Sequence, residues 1–320
     1  MRRSALSVLL VVSAAFVGIG MAESAGATGP ASAPTPGTAS QIEKLVAASS
    51  GITSIPSSPD PSLSAEDADS ANLWYPETLH GCTDLVSDPC VFGDTTSKKT
   101  VVLFGDSHAQ MWLSALVPAA KALKVRLVLF WFGGCPAASV TVYLTTSLDG
   151  FPAGPYLACN NWRKTVLKTI KKLRPELVLL SNRTAMVNSG PNSYFTATQW
   201  KAGVKTTVDA IKSKATKVAI IGDIVYMPYQ MPACLDANPT NVQYCAAPNP
   251  NTMSHSNEPA EVAEAKTLHI GYINPLPWIC TKTCSPVIGN FLVYLDEAHL
   301  DETYVAFLAT VMQEAVKPLL

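Results

Sequence analysis

The chain has 320 residues, 48% of them hydrophobic and 15% charged, with a formal net charge of −1. That is enough apolar material for a sizeable core. With no basic stripe to neutralise phosphates, it also argues against a nucleic-acid partner.

Arg2 and Arg3 precede an apolar run from Ala5 to Met21, and Ala25-Gly26-Ala27 follows. A basic start, an apolar centre and a small-x-small end read as a secretory signal peptide over residues 1–27. No cysteine follows the run, so a lipoprotein anchor is not expected. The alternative is an uncleaved anchor helix, because the run is about long enough to cross a bilayer. Residues 28–69 open rich in Ala, Ser, Thr, Pro and Gly and read as a flexible linker, interrupted by a short helical pattern from Gln41 to Ala48. Residues 70–320 have globular composition and are expected to form one domain.

In that domain strand and helix patterns alternate. A strand at Val101–Phe104 is followed by a helix at Ala109–Leu123, and a strand at Arg126–Phe132 by a helix at Asn160–Leu173. A strand at Leu177–Ser181 then leads to a helix at Thr198–Lys214, and a strand at Lys217–Ile221 to a helix at Pro259–Thr267. A strand at His269–Ile273 and a last helix at Glu302–Val316 complete the series. Continuously apolar strands separated by amphipathic helices imply an α/β fold with a parallel sheet covered on both faces.

Ligands of such sheets bind beyond the carboxyl ends of the strands. There the sequence places Asp106-Ser107, Gly133-Gly134-Cys135, Ser181-Asn182-Arg183 and Gly222-Asp223. Asp296 and His299 follow the apolar run Phe291–Leu295. A serine is a poor nucleophile until a base takes its proton. Ser107, with His299 as base and Asp296 to hold the imidazole's tautomer, supplies the parts of a serine acyl-transfer site. The bland alternatives are that Ser107 caps the helix after it, and that Asp296 caps the final helix with His299 in its first turn. Oxyanion donors are expected from the Ser107 and Gly134 N–H groups and the Asn182 side chain. Gly134 reads alternatively as a turn before Cys135-Pro136, and Asn182 as a strand-end cap. Arg183 is a second source of positive charge. His108 is expected as a pocket wall or a contact to Asp106, and Asp223 as a structural acid or a backup orienter.

Eight cysteines in an exported chain suggest disulfides. Closeness in sequence, and the loop-like segments between partners, favour Cys82–Cys90, Cys135–Cys159, Cys234–Cys245 and Cys280–Cys284, the last being the tightest loop. Zinc is the rival, but Cys280 and Cys284 are the only compact pair and no histidine lies at ligand spacing. No metal or other cofactor is expected.

Gly105-Asp106-Ser107-His108 after an apolar strand, Gly134-Cys135-Pro136, the Cys159…Trp162-Arg163 helix start and Asp296-x-x-His299-Leu300 carry a resemblance. They resemble the SGNH (GDSL-like) hydrolase superfamily, and more narrowly the SGNH domain often fused to membrane acyltransferase-3 proteins that O-acetylate cell-surface glycans. The resemblance covers about residues 70–320. It implies a flavodoxin-like three-layer α/β/α sandwich and a mechanism with Ser107 as nucleophile, His299 as base and Asp296 as orienter. Leu180-Ser181-Asn182-Arg183 stands where the superfamily usually has Gly-x-Asn-Asp, so the asparagine donor departs from the pattern. With no multi-span acyltransferase region in these residues, an acyl donor is expected from a separate membrane acyltransferase or a soluble ester. The expected function is an extracytoplasmic O-acyl, above all O-acetyl, esterase or transferase acting on cell-envelope carbohydrate. The alternatives are a lipase or general esterase, and a non-catalytic glycan-binding protein on the same fold.

Overall fold

The computed structural model describes residues 34–65, 89–148, 150–249 and 255–320. The expected signal peptide lies outside them. Among the described residues no helix is long and apolar enough to cross a membrane.

A six-stranded sheet forms the centre. Its strands are β1 (Cys90–Gly93), β2 (Thr100–Gly105), β3 (Arg126–Trp131), β4 (Leu177–Ser181), β5 (Lys217–Ile221) and β6 (Gly271–Ile273). Their spatial order is β1-β3-β2-β4-β5-β6. The five strands read from the sequence run parallel. The edge strand β1, absent from the sequence reading, pairs antiparallel with β3. Its Cys90-Val91-Phe92-Gly93 is too short to carry a periodic signal.

Alternate residues of each strand enter two separate cores, as the two-residue period of a strand requires. Val101, Leu103, Leu127, Leu129, Leu177, Leu179, Ala219 and Ile221 join one cluster. Val102, Phe104, Val128, Phe130, Val178, Leu180, Val218 and Ile220 join the other. The first face is covered by α3 (Leu113–Leu123), α8 (Glu302–Phe307) and α9 (Ala309–Val316), and the second by α4 (Leu157–Leu173), α5 (Ala197–Ile211) and α7 (Glu258–Thr267). This is the three-layer α/β/α sandwich. The expected helix at 109–123 is two, α2 (Ser107–Met111) and α3, because Trp112 leaves helical geometry at ψ −3°. The last helix breaks similarly at Leu308, where ψ is 1°. A further helix, α6 (Met231–Ala237), lies in a loop the sequence left unassigned.

Part of the segment read as flexible linker belongs to this body. Thr38 and Gln41 form a capping box for α1 (Ala39–Ala48), and Ile42 and Val46 are buried in the first core. Backbone bonds run from Gly37 N–H to Phe307 O, Ile55 N–H to Pro239 O and Asp60 N–H to Asn290 O. The Gln243 amide binds the Ser49 and Ile52 carbonyls. The short helical pattern read at Gln41–Ala48 is this helix; what its surroundings concealed is that it docks, with Ile42 and Val46 buried and Leu45 packed against the same core.

Disulfides join Cys135–Cys159, Cys234–Cys245 and Cys280–Cys284. Cys90 is also disulfide-bonded, while Cys82 lies outside the described residues. The tight Cys280–Cys284 loop is therefore bridged, with its Cα atoms 4.3 Å apart. Cys135 and Cys159 are fully buried, and their bridge pins the loop after β3 to the first turn of α4. It spans 24 residues, so chain-entropy reasoning gives it about 3 kcal/mol. Replacing both cysteines with serine should lower stability in urea unfolding by about that amount; an unchanged midpoint would refute the assignment.

Candidate active site

The site begins at a steric constraint. A Cβ on Gly105 would collide with the carbonyl oxygen of Ser181 on neighbouring β4, so only glycine ends β2 here. The chain then turns at Asp106, which is extended (φ −93°, ψ −153°) and caps α2 by accepting the His108 N–H at 2.9 Å. Asp106, not Ser107, is thus the cap. Ser107 is the first residue of α2, partly exposed at the carboxyl edge of the sheet, with its hydroxyl free for chemistry.

Asp296 and His299 occupy a tight excursion closed by the bridge between Tyr294 and Leu300. Asp296 Oδ1 accepts the N–H groups of Ala298 (2.6 Å) and His299 (2.7 Å), which leaves Oδ2 for the ring. His299 Nδ1 lies 2.7 Å from Asp296 Oδ2, and His299 Nε2 lies 2.9 Å from Ser107 Oγ. The final helix has its own cap, Asp301, whose carboxylate accepts from Thr303 and Tyr304. Burial alone would push the Asp296 pKa up; the hydrogen bond and charge of His299 outweigh it and hold the carboxyl below its ordinary value. The three residues form a continuous Ser–His–Asp chain of hydrogen bonds, with one carboxylate serving both to shape its loop and to orient the imidazole.

Beneath it the ends of β2, β4 and β5 share buried polar groups. His108, fully buried, places Nδ1 2.7 Å from Asp223 Oδ1, and its ring centroid is 5.0 Å from that of His299. Asp223 Oδ2 accepts the Thr184 N–H, the Thr184 hydroxyl and the Tyr226 hydroxyl. The Asp106 carboxylate takes the Arg183 N–H at 2.9 Å. Burial would lower the His108 pKa, but the Asp223 charge prevails and raises it; in the same pair burial is again outweighed, and Asp223 is held down. Asp223 therefore holds His108 and is not a backup orienter for His299.

Asn182 does not serve as expected. It is 1% exposed; its Oδ1 accepts the Ala137 and Ala138 N–H groups at 2.7 and 3.4 Å, and its amide donates to Glu261 at 2.7 Å. It holds the loop after β3 instead of facing a substrate. Gly134 has a left-handed φ of 62° in the turn closed by Cys135 N–H to Phe132 O. That turn starts close to Ser107 in the fold, since Phe132 N–H binds Gly105 O, two residues before it. Gly134 remains the donor candidate beside the Ser107 N–H. The Arg183 guanidinium lies 5.7 Å from the Tyr226 ring centroid and reaches the Ala185 carbonyl.

Sequence reasoning assigned no role to Arg163, read only within a helix-start motif, and did not single out Glu261. Arg163 ties the same loop by donating to the Pro136 and Val140 carbonyls. Glu261, fully buried on α7, accepts from Asn182 and from the Trp200 indole at 3.0 Å. Nothing in the apolar spacing of α7 marks an inward-facing acid. Burial raises the Glu261 pKa to about 8. A group raised on folding gives its full stability below the unfolded value and loses it as pH rises through the folded one. Stability should therefore decline between roughly pH 4.5 and 8. Glu261→Gln keeps the accepting oxygen and removes the titration. Its melting temperature should fall less over this window than that of the unsubstituted chain, and parallel curves would contradict the assignment.

Comparison with known proteins agrees with this geometry. A family model described as an SGNH domain (fused to AT3 domains) matches residues 76–314. No curated protein matches the chain. Among solved structures, the periplasmic domain of a lipopolysaccharide acetyltransferase from Salmonella ser. Paratyphi A superposes with a TM-score of 0.50 at 16% identity, covering 86% of this chain and 92% of that one. A carbohydrate acetylesterase from Sinorhizobium meliloti has a TM-score of 0.42 at 14% identity, covering 69% and 100%. An aryl esterase from M. smegmatis has a TM-score of 0.41 at 12% identity, also covering 69% and 100%. With three quarters of its length matched by the family model, the chain belongs to the SGNH domain family fused to AT3 domains, and is an SGNH-type ester hydrolase or O-acyltransferase.

Proposed function

We propose that this protein is an extracytoplasmic serine-dependent O-acyl, above all O-acetyl, esterase or transferase acting on cell-envelope carbohydrate. The observation that carries the mechanism is the unbroken relay from Ser107 Oγ through His299 to Asp296. The disulfides support an oxidising compartment. The glycan substrate is supported by the lipopolysaccharide acetyltransferase domain among the similar structures. The family's fusion to AT3 domains points to a membrane acyltransferase as the partner that supplies the acyl group.

In this scheme Ser107 Oγ attacks the ester carbonyl as His299 Nε2 takes its proton. The Asp296 carboxylate holds Nδ1–H and balances the imidazolium. Charge developing on the carbonyl oxygen is met by the N–H groups of Ser107 and Gly134. Collapse expels the alcohol, which receives the proton from His299, and leaves an acyl-Ser107. Water or a sugar hydroxyl, deprotonated by His299, then releases the acyl group. Hydrolysis and transfer differ only in which of these arrives.

Ser107→Ala should lower turnover of an aryl acetate by at least about a thousandfold while the melting temperature stays close to that of the unsubstituted chain. His299→Ala should be nearly as damaging. Asp296→Asn keeps the acceptor for its loop but turns a donor toward Nδ1. That fixes the wrong tautomer, so a loss of roughly 10³ to 10⁴ is expected, and Asp223, bound to His108, gives no rescue. Substantial activity in Ser107→Ala would move the chemistry elsewhere.

A further inference from the structure

We infer that Tyr229 and Tyr244 form a platform for neutral pyranose rings beside the catalytic loop. This rests on the reading of the chain as a carbohydrate O-acyl esterase or transferase, and it assigns that glycan a place on the surface.

The pair is unusual in its exposure. Tyr229 is 42% and Tyr244 56% exposed, and no other aromatic among the described residues is as open. Their rings lie nearly parallel, 11° apart with centroids at 5.5 Å, and their hydroxyls are 3.4 Å apart. The two rings are stacked, so the pair turns an outer ring face and polar hydroxyl edges to solvent. That combination suits the C–H face of a sugar ring with hydroxyls at its rim. Exposed aromatics held in register at a cost in solvation mark a recognition surface more often than isolated apolar residues do.

The platform is rigid. Cys234 and Cys245, five residues after Tyr229 and directly after Tyr244, are bridged. Buried Met231 and Leu235 anchor α6 between them in the first core. It is also coupled to the catalytic loop. The Met227 N–H donates to the Glu297 carbonyl at 2.8 Å, and the Gln230 side chain donates to the Glu297 carboxylate. Glu297 stands between Asp296 and His299. The loop that carries Tyr229 is thus bonded to the same short segment that carries His299.

Charge selects the class of ligand. From Tyr226 to Asn249 the sequence holds no Lys, Arg or His, and its single acid is Asp236. This segment itself offers an anionic ligand no counter-charge, whereas a neutral glycan needs none.

The test uses the full chain carrying Ser107→Ala, so that no bound ester is consumed. It is titrated calorimetrically with β-1,4-linked hexamers of glucose and of N-acetylglucosamine. The same chain is then examined with Tyr229→Ser/Tyr244→Ser and with Tyr229→Phe/Tyr244→Phe. At least one hexamer should bind, the serine pair should weaken it tenfold or more, and the phenylalanine pair should stay within threefold. Both sites are exposed, and unchanged melting curves will show that the fold survives. Absence of binding by both hexamers, or equal binding by the serine pair, overturns the platform. So does a fall from dimer to monomer in the serine pair with glycan binding intact, which would make the tyrosines a self-association contact. Aryl acetate turnover by the unsubstituted chain is measured in parallel. Turnover without hexamer binding removes the platform and keeps the esterase reading; binding without turnover does the reverse.

Discussion

The site stands on buried charges that must satisfy one another. Asp106, His108 and Asp223 lie at the carboxyl ends of β2 and β5, each at most 3% exposed. Leaving one member of such a group without its partner costs about 3–5 kcal/mol. Each is therefore tied across strands: Asp106 to the backbone of Arg183, Asp223 to Thr184, and His108 to Asp223. These bonds lock three strand ends at a fixed spacing. Ser107 lies between Asp106 and His108, and so inherits a position that no loop of its own could hold.

The relay above this floor is assembled from distant parts of the chain, because Ser107 and His299 are 192 residues apart. Local sequence does most of the shaping on each side. Glycine at 105 allows the close approach to β4, and an aspartate at 296 folds its own loop while orienting the ring. The central sheet delivers Ser107 to its carboxyl edge. The Asp296–His299 segment follows a separate antiparallel pair, Val287–Ile288 with Phe291–Leu292, and is held in place by Leu300 N–H on the Met111 sulfur and Met227 N–H on the Glu297 carbonyl.

Much of this was legible in the residues. The five parallel strands are short, mainly apolar runs between polar punctuation, and they were found almost to the residue. The meeting of Ser107, His299 and Asp296 was legible because a hydroxyl follows the first of these strands, and a carboxylate and an imidazole follow the apolar run Phe291–Leu295. What stayed hidden depends on side chains meeting across the fold. Asn182 sits at the right strand end for an oxyanion donor, yet Glu261, 79 residues away, takes its amide. His108 and Asp223 are 115 residues apart, and neither signals the other. The docking of residues 37–60 was obscured by small polar residues around Ile42 and Val46. The antiparallel edge strand was too short for any period to show.

The central claim is that Ser107 is a nucleophile because His299 stands ready to take its proton. The most direct measurement is reaction of the native chain with a fluorophosphonate, followed by peptide mass spectrometry. The account predicts a single adduct on Ser107 that forms rapidly in the unsubstituted chain and is lost in His299→Ala. An unlabelled native chain, or an adduct on any other serine, would contradict it.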